Sequence, residues 1–99
     1  MGVWLRADGK TKIKFLPCGA AACGFVAWKR DADAPGHVGQ QVFFNMKPTG
    51  ENEWRGSAFN PEDGNSYSGK MKLSGGSLTT AGCVLGGLIC KSFNWTRVD

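Results

Sequence analysis

Four cysteines, one histidine and eight acidic side chains carry most of the reactive chemistry in this 99-residue chain. The cysteines form two local pairs, Cys18-Gly-Ala-Ala-Ala-Cys23 and Cys83-Val-Leu-Gly-Gly-Leu-Ile-Cys90. Such pairs in a short chain predict two disulfides made in an oxidising compartment. The alternative is a zinc site or free thiols, but gaps of four and six residues exceed a metal knuckle, and His37 stands near neither pair. These gaps also lack the two-residue spacing of thioredoxin-type redox motifs. His37 is alone in a loop, without a partner set for a metal pair or a nucleophile relay. Asp31, Asp33, Glu62 and Asp63 fall in turns, where carboxylates hold local backbone, and nothing marks a glycosidase pair. The expectation is a protein that is not an enzyme, with no catalytic residue, metal or cofactor.

Turn chemistry gives the frame that must position everything else. Gly86-Gly87 lies between two apolar runs and accepts the positive φ angles of a two-residue hairpin turn. That turn sets Leu85 opposite Leu88, Val84 opposite Ile89 and Cys83 opposite Cys90, where a disulfide can close. Asp8-Gly9 predicts a second hairpin, pairing Trp4 with Ile13 and Gly2 with Phe15 while Lys10, Lys12 and Lys14 alternate onto the other face. Placing Cys18 opposite Cys23 sets Phe15 against Val26 and Ile13 against Trp28, and leaves both cysteines outside beside Leu16 and Phe25. Asp31 to Gln40 is a loop by composition. Val42 to Met46 resumes a strand, read with Val42, Phe44 and Met46 inward, and residues 48–51 turn it back. Residues 60–65 as a four-residue loop pair Ala58 with Tyr67, Gly56 with Gly69 and Trp54 with Met71. The 74–77 turn then pairs Leu73 with Leu78, Met71 with Thr80 and Gly69 with Gly82. Through the terminal hairpin Leu78 meets Trp95, Thr80 meets Phe93 and Gly82 meets Lys91.

Eight short strands joined by hairpins make an all-β, up-and-down antiparallel barrel of one domain, residues 1–99, with two local disulfides. A sandwich of six to eight strands or an open Greek-key barrel is the alternative. Hydrophobic content of 41%, with four Trp and six Phe, suffices for one core, and the 15 glycines spread along the chain fit many turns. No window approaches the roughly 18 apolar residues of a transmembrane helix. The net charge of +4 fits either a solvated basic surface or attraction to an anionic partner.

Gly56, Gly69 and Gly82 fall side by side on three neighbouring strands, all inward, and Lys91 ends the row. Missing side chains make room, and an ammonium beside that room attracts an anion. The competing reading is that inward glycines let strands coil as a small barrel closes, with Lys91 snorkelling to the rim. Tyr67 and Arg6 add polar handles, and Trp4, Trp28, Trp54, Phe93 and Trp95 are candidate walls. Two function classes follow. In one, the lumen binds a small amphipathic or anionic ligand, an acyl chain or aromatic acid. In the other, the barrel is filled and its basic exterior contacts an envelope component. Nucleic acid is not an expected partner, because alternation buries most of the aromatics that stacking needs.

Gly2-Val-Trp-Leu5 with Asp8-Gly9, Pro17-Cys18, Cys23-Gly24, Tyr67-Ser-Gly-Lys70, Gly82-Cys-Val-Leu85 to Cys90 and Trp95-Thr-Arg-Val98 resemble a bacterial family, domain of unknown function 2147. The resemblance implies an exported, lipocalin/calycin-like barrel in the periplasm or secreted, and no assigned reaction. No export leader precedes Val3, so an exported chain is expected to be a mature form behind an added Met. Gly2-x-Trp4 is also similar to the signature of true lipocalins, in which a first-strand Trp packs under an Arg near the end of the last strand. Arg97 has the matching parity, so Trp4 and Arg97 are the expected barrel-closing pair.

Overall fold

A computed structural model of the chain describes residues 2–99. Among them run eight strands, β1 (Gly2–Arg6), β2 (Thr11–Cys18), β3 (Ala21–Lys29), β4 (Gln41–Gly50), β5 (Glu53–Asn60), β6 (Asn65–Ser74), β7 (Ser77–Val84) and β8 (Ile89–Arg97). Each pairs antiparallel with the next, and β1 pairs with β8 through Trp4 opposite Arg97 and Arg6 opposite Trp95. The sheet is therefore a closed up-and-down barrel, which removes the exposed edges that an open sheet would carry. The sandwich and open-barrel alternatives are set aside. No helix among the described residues is long and apolar enough to cross a membrane.

Short connections set most of the register. Gly86 and Gly87 take φ values of 66° and 92°, and the Leu88 N–H donates to the Leu85 carbonyl at 3.3 Å. This brings Val84 opposite Ile89 and Cys83 opposite Cys90, and the latter two are disulfide-bonded. The expected pairings of Trp4 with Ile13, Gly56 with Gly69, Met71 with Thr80 and Gly82 with Lys91 all form.

Two expectations are corrected. Cys18 and Cys23 are bridged, but Cys18 lies opposite Ala21 and Leu16 opposite Cys23, so the disulfide joins diagonal rather than facing positions. A tight turn at Gly19, φ 66°, replaces the four-residue loop. Phe15 consequently faces Gly24 and Ile13 faces Val26, while a bulge at Ala27 turns Trp28 outward opposite Lys12. Trp28 is 38% exposed, its ring beneath the Lys12 ammonium, and it is not a wall of the lumen. The physical reason is packing: a Cβ at position 24 would stand 2.8 Å from the Phe15 ring and 2.9 Å from that of Phe43, so only glycine lets both rings meet there. The second correction is in β4. Phe43, not Phe44, points inward, because Asn45 adopts φ 53° and bulges the strand before Met46.

The barrel is filled at the end that holds the chain termini and the β2–β3, β4–β5 and β6–β7 connections. There Trp4, Phe15, Met46, Met71 and Leu78 form one buried cluster. Burying side chains of this size contributes roughly 1.5–3 kcal/mol each. The Arg97 guanidinium lies 5.9 Å from the Trp4 ring centre, so the expected closing pair forms at this end.

Candidate functional site

The opposite end of the barrel is open. A cavity of about 430 Å³ descends from the β1–β2, β3–β4 and β5–β6 connections into the barrel. That volume lies within the range of sites that hold small molecules, roughly 300–1,000 Å³. Its inner wall is apolar, formed by Ile13, Val26, Val42, Phe43, Phe93 and Trp95. The cluster at the sealed end forms the bottom of the barrel beneath it.

One polar side chain breaks the apolar wall. Thr80 is 2% exposed, and its Oγ1 accepts a hydrogen bond from the Trp95 indole N–H at 2.9 Å. β7 places it one inward position below Gly82, at the depth where Trp95 crosses the barrel.

Charge is gathered at the mouth, and much of it is committed to internal bonds. The Arg6 Nε donates to both Asp8 carboxylate oxygens at 3.0 and 3.1 Å, and its Nη1 donates to Glu62 Oε1 at 2.9 Å. Burial alone would lower the Arg6 pKa, but the hydrogen bonds and charges of Asp8 and Glu62 outweigh it and raise it. For Asp8, burial raises the pKa, while bonds from Arg6 and the Lys10 N–H, with the charges of both residues, bring it below the ordinary value. Arg6 thus ties the first hairpin to the 60–65 loop while stacking 4.8 Å from the Phe93 ring centre. Lys29 donates from its ammonium to the Ala32 carbonyl at 3.2 Å, the Gly36 carbonyl at 2.6 Å and the Ala34 carbonyl. This pins the 31–36 loop over one side of the mouth, where Ala34 and Pro35 line the cavity.

Lys91 stands on the facing side, its ammonium 5.5 Å from the Phe93 ring centre. Nearby, the Tyr67 hydroxyl donates to Asp63. That bond raises the Tyr67 pKa and, with the Asn65 N–H and the charge of Lys91, lowers that of Asp63. Lys91 makes no direct ion pair within 4 Å among the described residues, which leaves its ammonium available at the rim.

Of the residues expected at the site, Lys91, Gly82, Tyr67 and Phe93 line the cavity, and Gly56, Gly69 and Trp54 do not. The glycine row exists, but its space is taken by neighbours. A Cβ on Gly56 would meet the Phe44 and Asn45 carbonyl oxygens at 2.5 and 2.6 Å and Met46 Sδ at 2.8 Å. On Gly69 it would meet the Ser57 carbonyl carbon at 3.2 Å, and on Gly82 the Tyr67 Cβ and Cγ at 3.0 Å. Trp54 packs against the core cluster toward the sealed end. The open space lies instead beside small or short inward residues, Ala58 toward the mouth and Thr80 deeper in the barrel. Thr80 was legible by parity, opposite Phe93, but its value as a lone hydroxyl in an apolar wall emerges only once the neighbouring strands are placed. No group of three or more His, Cys, Asp or Glu side chains among the described residues is arranged to hold a metal.

No curated protein and no solved structure matches the chain at a significant level. A family profile described as an uncharacterized protein conserved in bacteria matches residues 2–97. That match over nearly the whole length places this chain, with its closed eight-stranded barrel, in the bacterial family of uncharacterized proteins DUF2147.

Proposed function

We propose that this protein is a non-enzymatic, exported carrier that binds a small amphipathic molecule in its lumen. The apolar part lies against Ile13, Val26, Val42, Phe43 and Trp95, and the polar or anionic end sits at the mouth beside Lys91. The observation that carries this reading is the one-ended cavity, apolar within and bordered by an ammonium that makes no direct ion pair among the described residues. Covering apolar wall drives binding at roughly 25 cal/mol per Å² removed from water. The charge at the rim then orients the ligand and favours anionic heads. Arg6, Tyr67 and Lys29 are engaged with protein groups and act here as braces rather than as acids or bases. Export fits two disulfides, which persist in oxidising compartments.

Decanoate and decanol, titrated against the intrinsic fluorescence of Trp95, test the proposal. Saturable change with both, tighter for decanoate, is expected, and Ala58→Phe should weaken it by narrowing the cavity. No saturable change with either amphiphile refutes the reading. A second reading, contact with an envelope component, is favoured by one observation. Lys47 faces Arg55 and Arg55 faces Lys70 across three strands on the outer wall. Like charges held directly opposite repel, and an anionic partner would relieve them. Salt-sensitive sedimentation with phosphatidylglycerol vesicles, lost on neutralising these cations, tests it.

A further inference from the structure

The lumen holds a hydrogen-bond donor that the protein does not use. Trp95 Nε1 carries only a proton to give, so in its bond with Thr80 the hydroxyl oxygen must be the acceptor. The Thr80 proton therefore remains to be donated, and none of the described residues accepts it. Thr80 is 2% exposed and lines the cavity at a depth where the other walls are hydrocarbon. That proton is already out of water in the free protein, so a saturated chain leaves it unpaired, whereas a ligand acceptor placed beside it satisfies it and gains affinity. We infer that the ligand carries a hydrogen-bond acceptor at its inner end as well as its polar head at the mouth, so that its class is a bifunctional amphiphile such as an oxo acid or an acyl-substituted aromatic acid.

This rests on the lumen being the binding site, and it narrows the ligand beyond that. The bond to Trp95 orients the Thr80 side chain, so the donor is fixed before a ligand arrives. A net gain of about 1 kcal/mol for such a bond corresponds to about a fivefold preference.

The experiment compares saturated acids from octanoate to dodecanoate with counterparts that carry a ketone at the penultimate carbon, by calorimetry and Trp fluorescence. Wild type should prefer the oxo acid by about fivefold or more at the chain length that reaches Thr80. Thr80→Val should lose that preference, and Thr80→Ser should keep it. Equal affinity of the two series for wild type at every length, or a preference that survives in Thr80→Val, overturns the inference and leaves lumen binding intact. Failure of both series to bind overturns both. Should Thr80→Val not fold, the Trp95 indole N–H resonance of wild type decides. A larger shift with the oxo acid than with its saturated partner supports the role of Thr80, and equal shifts overturn it.

Discussion

Replacing Gly56 by Ala separates the two roles open to the inward glycine row, a place for a ligand or room for neighbouring chain. The added methyl would lie 2.5 Å from the Phe44 carbonyl oxygen, 2.6 Å from that of Asn45 and 2.8 Å from Met46 Sδ. Two of these three atoms are backbone, held by the bulge at Asn45 and by the β4–β5 ladder. The third belongs to Met46, which is 0% exposed and has no room to retreat. Overpacking of this kind costs up to about 3 kcal/mol, and the lower entropy of the unfolded alanine chain returns about 0.4–1 kcal/mol. The net loss is about 2 kcal/mol, a fall of about 8–16 °C in Tm for a domain of this size. Gly69→Ala is the control, since its methyl meets only the Ser57 carbonyl carbon at 3.2 Å and Ala58 atoms at 3.4 Å. It should cost less than about 1 kcal/mol. Thermal unfolding by circular dichroism in non-reducing buffer measures both. Because neither glycine lines the cavity, amphiphile affinity should be unchanged in the folded variants. A Gly56→Ala protein with a Tm within about 3 °C of wild type, or one less perturbed than Gly69→Ala, refutes the packing argument.

Removing the mouth disulfide as Cys83→Ser with Cys90→Ser should destabilise by about 2 kcal/mol, the loop-entropy value for so short a closure, read from urea unfolding. The Asp8 carboxyl lies below its ordinary pKa, so its contribution is full above about pH 4 and is lost as pH falls through the lower folded value. Stability measured at successive pH values below about 4 should therefore decline less steeply in Asp8→Asn than in wild type. Lys29→Met removes the donor that holds the Ala32, Ala34 and Gly36 carbonyls. Hydrogen exchange in the 31–40 loop should quicken while the strand amides keep their protection.

Turn residues and side-chain parity were enough to place half of this barrel and much of its site. Asp8-Gly9, the 60–65 loop, the 74–77 turn and Gly86-Gly87 each join neighbouring strands by a short connection of defined length. The registers of β1–β2, β5–β6, β6–β7 and β7–β8 followed from them. Those registers put Lys91, Gly82, Tyr67 and Phe93 on the inner side, where they line the cavity. Tertiary structure alone decided the β2–β3 register, the inward face of β4 and the ownership of the space beside the glycines. In each case the deciding contact joins residues distant in the chain: Phe15 and Phe43 share the room over Gly24, and Met46 takes the room beside Gly56. A turn depends on the conformational limits of adjacent residues, which the sequence states directly. A bulge such as that at Asn45 or Ala27 forms where it best fits side chains from other strands, so its position is known only when all of them are packed together.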